Sequence, residues 1–416
     1  MLLEAGETDV QRLGTRFLLY PQVPHLAGYG KPEAVWISTP PDELQPGPAD
    51  RRMYVVDPLF EKPTYEYPYL PPFVGATHPP VEAGPDGHFD HLDVNDRGFV
   101  AAHCFAALRR VLDIWESYLG HEIVWHFAET YERMEIIPQV DWANAQSGYG
   151  YVEMGIDRAD NGLVVPYALN FDVLAHELGH AIIFAEMGMP VADSGTSEYF
   201  GYHESVSDLI SLISLLHFDS AVDRLLRGCK GNLLVMNELS RIAELSGDRQ
   251  IRIASNERRM STVTTEVHDM SRPFTGAIFD TLVEIYHANI IDRGLVEPPV
   301  DYDSERLREM DKREIEAVGA AFTDAYEGRH FQCKAALEDA RDIVGTGIAQ
   351  SWSRIAADGF SYAEAGVAIA NVMDEMGEPD SAQIMIENLE WREILAPGQS
   401  TATAQTGPAA FMSNHF

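Results

Sequence analysis

Between Arg97 and Leu119 the apolar residues Val100, Cys104, Leu108, Val111, Leu112, Ile114 and Tyr118 fall at near-helical spacing and predict a helix. No such period precedes it. Residues 1–95 are punctuated by Tyr20-Pro21, Thr39-Pro40-Pro41, Pro46-Gly47-Pro48 and Tyr67-Pro68-Tyr69-Leu70-Pro71-Pro72. Proline at that density removes helix donors and holds its neighbours extended. Short strands and wrapping loops are expected there, with Met53-Tyr54-Val55-Val56 one strand, and the many aromatics argue against disorder. Beyond the first helix, Val124–Phe127, Met134–Ile137 and Gly148–Met154 read as strands between polar turns. A largely apolar run from Phe171 to Met187 predicts a second helix. A Gly-, Pro- and Ser-bearing loop, Gly188 to Phe200, leads to a strongly apolar helix from near His203 to about Leu216. From there to about Leu395 the pattern is mostly helical, with Pro273–Ala288, Ser304–Tyr326, Phe331–Val344 and Tyr362–Met376 as examples. The tail from Pro397 is small and polar, as mobile ends are. No internal repeat is visible. The expected division is a Pro/Gly/Tyr-rich extension or small β region (1–95), a part with strands and the Phe171–Met187 helix (96–190), a helical part (191–395) and a flexible tail (396–416), in an α+β fold.

Charge narrows the choice of partners. Thirty basic against 65 acidic residues give a net charge of −35, and a field of that sign disfavours nucleic acid and anionic membrane. No stretch is long and apolar enough to span a bilayer, and the first residues lack a basic, then apolar, leader pattern. Cys104, Cys229 and Cys333 are odd in number, far apart and form no CxxC, so neither a disulfide framework nor a thiolate metal site is expected. A reducing, cytoplasmic setting fits that usage, with secretion by another route left open. The oligomeric state is not legible.

The chemistry concentrates in Ala175-His176-Glu177-Leu178-Gly179-His180. On a helix His176 and His180 share one face a turn apart, so two imidazoles can converge on one ion. Glu177, rotated by about 100°, can address a water beside that ion. Two neutral nitrogens, one further ligand and an open position suit a catalytic zinc. A pair of core histidines is the ordinary alternative. Gly87-His88-Phe89-Asp90-His91-Leu92-Asp93-Val94-Asn95-Asp96 partly mimics a calcium loop, but Arg97 and Cys104 stand where ligands belong, and a polar turn is the better reading.

A third ligand must come from elsewhere. A metzincin would have Gly at 183 and His at 186; here they are Ile183 and Glu186. Downstream, Tyr202-His203-Glu204-Ser205-Val206-Ser207-Asp208 puts Glu204 and Asp208 four apart on one face. Glu204 can complete a two-His, one-Glu site, and Asp208 can accept the second N–H of a ligating His. Glu198 and His203 are rivals for the ligand position.

With those segments in place the chain resembles the thermolysin-type gluzincins, as a divergent member. These zinc metallopeptidases carry HExxH on one helix and ExxxD on the next. The approach Pro166-Tyr-Ala-Leu-Asn-Phe-Asp172 is similar to theirs, and Asn144-Ala145 resembles the start of their substrate-binding edge strand, where an extended peptide adds as a further strand. His268, in Glu266-Val267-His268-Asp269-Met270-Ser271-Arg272-Pro273, resembles the family's oxyanion-stabilising His on a loop before a helix, with Ser271 or Asp269 as cap and Pro273 in the first turn. Arg252 resembles its substrate-carbonyl-binding Arg. The interval from His180 to Glu204 is longer than in thermolysin; Tyr199 is the choice for an assisting catalytic Tyr, with Tyr202 the rival. The family's acidic calcium-binding run is replaced by Leu209–Leu216, so the resemblance does not carry structural calcium over and leaves Asp172 as a helix cap. The likeness spans residues 98–395 in broad order, and its strong motifs occupy three short segments.

The resemblance implies a thermolysin-like zincin, with a strand-rich N-terminal part, a mostly helical C-terminal lobe and the zinc helix between them. It implies one Zn2+ on His176, His180 and Glu204, a zinc-bound water activated by Glu177, and hydrolysis of a peptide or protein substrate. Endopeptidase is preferred to aminopeptidase, because Gly150-Tyr-Val-Glu-Met154 does not match the Gly-x-Met-Glu-Asn segment that grips a free amine. The alternative is a weak or inactive metallopeptidase-fold binding or scaffold protein.

Overall fold

The computed structural model describes residues 10–158, 164–191, 194–234, 241–246, 249–299, 302, 306 and 309–397. The expected tail beyond 397 lies outside them. The fold is mixed α+β with a helical majority and small sheets.

The N-terminal stretch folds against the rest of the chain. Strands β1 (Thr15–Leu19) and β2 (Glu33–Ile37) pair antiparallel with Thr15 opposite Ile37. Their alternation buries Phe17, Leu19, Val35 and Ile37 in the main core. Phe17 stacks on Phe89 with ring centroids 4.8 Å apart. The calcium-loop mimic holds this hairpin: Arg16 pairs with Asp90 at 2.6 Å, and its backbone N–H donates to Nδ1 of His88 at 3.1 Å.

Helix α1 (Arg97–Leu119) is as the apolar spacing predicts, and is buried over most of its circumference. It ends at Gly120, whose φ of 75° is the left-handed turn that glycine adopts without steric cost. Beside it lies a four-stranded sheet of β3 (Met53–Val55), β4 (Met134–Ile137), β5 (Ala145–Gly148) and β6 (Tyr151–Met154), in the order β3-β4-β6-β5. Strand β5 is antiparallel to β6 and forms an edge. Period-two alternation gives the sheet two buried faces. Met134, Ile136, Val152, Met154 and Ala145 join the core of α1, while Ile137 and Tyr151 pack on the opposite side against Tyr65, Tyr69, Leu70 and Phe73. Two strand expectations need correcting. Val124–Phe127 forms no strand; it runs into a turn in which the Trp125 and Phe127 rings stack with centroids 5.5 Å apart. The single strand expected over Gly148–Met154 is a hairpin, broken at Tyr149-Gly150 because Gly150 has φ 90°. A further pair, β7 (Ile156–Arg158) with β8 (Val164–Pro166), precedes the second helix.

Helix α2 (Phe171–Met187) has the expected limits, and its N-cap is Asn170, which accepts from the Val173 N–H at 3.3 Å. Helix α3 (Ser197–Leu215) starts six residues before the expected His203, capped by Thr196. Helix α4 (Asp219–Cys229) and a hairpin of β9 (Arg241–Ser246) and β10 (Arg249–Ile253) follow; that hairpin interrupts the helical reading of this half. The rest is α5 (Val267–Asp292), α6 (Lys312–Tyr326), α7 (His330–Ser351), α8 (Tyr362–Glu375) and α9 (Pro379–Trp391). Pro273 lies inside α5, not in its first turn. Among the described residues no helix is long and apolar enough to cross a membrane.

One core cluster takes residues from Phe17 to Leu395, so the N-terminal hairpin should unfold with the body. Phe17→Ala is expected to cost about 3–5 kcal/mol in a single urea transition, as large-to-small core changes do. An unchanged midpoint would place the hairpin outside the cooperative unit.

Candidate metal centre

Helices α2 and α3 pack closely because Gly179 has no side chain. A Cβ there would stand 3.0 Å from both Cα and Oγ of Ser207. That approach sets the site. His176 and His180 lie on the α2 face toward α3, with ring centroids 4.8 Å apart and planes at 88°. The Nδ1 of His176 meets Asp208 Oδ1 at 2.9 Å, and the Nδ1 of His180 meets Ser207 Oγ at 3.2 Å. Each imidazole therefore keeps Nε2 for the side that Glu204 faces. Glu204 answers both, with Oε2 at 3.5 Å from His176 Nε2 and Oε1 at 3.7 Å from His180 Nε2. Among the described residues these three form the one group of metal-capable side chains, with ligand atoms all within 4.8 Å of one another.

The donor set fits zinc. Ligand bonds of about 2.0–2.1 Å at tetrahedral angles put neighbouring donor atoms roughly 3.3 Å apart. The two Glu204 separations approach that value, so small side-chain shifts would bring the donors onto one ion. Glu177 is half-buried, as is His180, whereas Leu178 and Gly179 between them are buried.

His268 comes to the same group from α5. Its Nε2 is 3.4 Å from Glu204 Oε2, and its Nδ1 is 2.8 Å from Glu266 Oε1. It lies in the first turn of α5 rather than on a preceding loop. The cap is Glu266, which accepts from the Asp269 N–H at 2.8 Å, and not Ser271 or Asp269. The hydrogen bond from His268 and those from the backbone hold the Glu266 carboxyl below its ordinary range. With Nδ1–H directed at Glu266, the ring presents a second N–H only as imidazolium.

Other expected residues have different placements. Glu198 accepts from the Tyr362 N–H at 2.7 Å, which assigns it to joining α3 and α8. His203 is not part of the three-residue group: its ring stacks on that of His180 with centroids 5.9 Å apart and packs on Phe184 and Tyr199, neither ring nitrogen has a hydrogen-bond partner, and burial pushes its pKa down to about 3. Tyr199 is not brought to the site as an assisting catalytic group. Its hydroxyl donates to the Gly188 carbonyl at 2.7 Å and its side chain is buried. Tyr202 accepts from Trp352 Nε1 at 3.2 Å in the core, so the rival has no access either. Asn144 is exposed immediately before β5, Ala145 is buried as its first residue, and β5 packs against α2. The Arg252 side chain lies outside the described residues. Asp172 does not cap α2; it sits in the first turn, accepts from Gln22 Nε2 at 2.8 Å, and belongs to no three-residue metal group among the described residues.

Sequence reasoning missed Ser207 and Glu266. Gly179 was the available signal for the first, since a small residue between two ligands allows a neighbouring helix to approach. The second was visible only as an acid two residues before His268.

No family model matches the chain, and no curated protein matches it. Among solved structures it is similar to the precursor of protealysin, a metalloproteinase from Serratia proteamaculans, at 13% identity and a TM-score of 0.36, covering 68% of this chain and 89% of that one. A likeness at this level identifies neither fold nor activity, so the functional case rests on the side chains.

Asp208→Ala leaves His176 Nδ1 without its acceptor. The expected result is zinc affinity lower by roughly 10–100-fold, read by chelator competition. Unchanged affinity would show that Asp208 does not orient the ligand.

Proposed function

We propose that the chain is a zinc-dependent peptidase, an endopeptidase of the thermolysin type with its cleft between the sheet-bearing part and the helices from α3 onward. The observation that carries the reading is the convergence of His176 Nε2, His180 Nε2 and a Glu204 carboxylate oxygen, with each His ring held by its other nitrogen.

His176, His180 and Glu204 would hold the ion. Bound there, zinc supplies a Lewis acid for a substrate carbonyl and for the attacking water. Glu177 follows His176 on the helix and accepts the water's proton, then passes it to the leaving amine. Asp208 and Ser207 fix the ring orientations of the two histidines. His268, held by Glu266, donates from Nε2 to the oxygen that gains charge as the carbonyl carbon becomes tetrahedral. Oxyanion stabilisation falls to His268 because both tyrosine candidates bond within the core. The substrate backbone lies along β5, with Asn144 and Ala145 at its entry, as the sheet's open edge permits.

Two substitutions test these roles on zinc-loaded protein with a mixed library of internally quenched peptides. Glu177→Gln should retain zinc and lose roughly 10²–10⁴-fold in turnover; wild-type turnover in this variant would refute the mechanism. His268→Phe should lower kcat by about 10²–10³-fold with KM little changed, as loss of one oxyanion donor does. A rise in KM alone would make His268 a binding group instead.

A further inference from the structure

The face of the four-stranded sheet turned away from α1 carries two carboxylates that are fully buried, Glu135 on β4 and Glu153 on β6. Isolated ionised groups there would be costly, and both are satisfied by one short N-terminal stretch. The Lys62 ammonium is itself buried; it pairs with Glu153 Oε1, donates to the Pro63 carbonyl at 3.0 Å, and stands 3.3 Å from the centroid of the Tyr65 ring. The Tyr65 backbone N–H donates to Glu153 Oε2 at 2.9 Å. Its hydroxyl donates to Glu135, as does that of Tyr54 at 2.8 Å, and the Phe73 N–H donates to Glu135 at 3.0 Å.

This layer reaches the edge strand through a single side chain. Gln146 lies opposite Glu153 in the β5–β6 register. Its Nε2 donates to Glu153 Oε2 at 2.6 Å and to the Tyr65 carbonyl at 3.1 Å. Ala145, the next residue back, points to the other face, toward α2 and the core. The backbone of β5 is therefore held from behind by a charged, desolvated network and faces solvent along its open edge.

We infer that Lys62, Tyr65 and Glu153 act through Gln146 as positioning residues, fixing β5 at the height an extended substrate backbone needs to pair with it. The inference rests on the peptidase reading for its consequence, but not for its structural content. It makes residues 62–73 a working part of substrate binding rather than a wrapping of the fold.

The test compares wild type with Gln146→Met, which keeps side-chain length and removes both donors, and with Gln146→Ala. Hydrogen exchange of the amides of residues 145–148 is measured on the zinc-loaded full chain. Loss of two hydrogen bonds should speed it by about tenfold, with α2 amides unchanged. KM for a peptide extending on both sides of the scissile bond should rise by about tenfold while kcat stays within about twofold. Inhibition by acetohydroxamate, which reaches only the metal, should not change. Unaltered exchange in both variants overturns the inference, as does a fall in kcat with KM unchanged. Faster exchange in a protein whose zinc-loaded wild type cleaves no peptide upholds the positioning of β5 and overturns the peptidase reading instead.

Discussion

An imidazole is a directed metal ligand only when its second nitrogen is held, and here that requirement governs how two helices pack. Asp208 holds His176 and Ser207 holds His180, both from the same helix that supplies Glu204. The three partners reach α2 only because Gly179 leaves room for the Ser207 backbone at van der Waals contact. A larger residue at 179 would separate the helices and undo the orientation of both rings together. The three-residue group is thus a consequence of one close helix crossing more than of three separate residues.

The rest of the chain supports that crossing from several directions. Gln22, from the N-terminal stretch, donates to Asp172 one turn before His176, where a negative charge also favours the helix N-terminus. Thr196 and Glu198 tie the start of α3 to Phe360 and Tyr362. Asp358 accepts from the Val191 N–H at 2.8 Å and so pins the loop between the two site helices. That loop is long in sequence, yet its described parts are anchored at both ends to the α7–α8 connection. The anchoring also explains why Tyr199 and Tyr202 are core residues: α3 begins earlier than its apolar pattern suggests, and both rings are drawn inward with its first turns.

The site was more legible in the sequence than the fold around it. HExxH and ExxxD are short-range patterns whose geometry follows from helix periodicity, so His176, His180, Glu204 and Asp208 could be placed without tertiary information. Glu266 and Ser207 could not, because their roles depend on which atom of a distant ring turns toward them. The helices α1 and α2 were set by apolar spacing within the segment. The hairpin of β5 and β6 and the early start of α3 depend instead on a positive-φ glycine and on a Thr cap that a hydrophobic pattern does not register. The N-terminal stretch was the least legible. Its proline spacing left room for few helices, and among the described residues before α1 only 10–13 are helical, but the buried Lys62–Glu153 pair and the Phe17–Phe89 stack join residues far apart in the chain.

The central claim is that His176, His180 and Glu204 hold one zinc with a position left open for chemistry. Zinc-edge X-ray absorption on the metal-loaded full chain tests it most directly. The account predicts one zinc per chain, two imidazole nitrogens at about 2.0–2.1 Å, and the remaining donors oxygen at about 2.0–2.2 Å, with one imidazole lost in His180→Ala. Sulfur at about 2.3 Å, or failure to take up stoichiometric zinc, would contradict it.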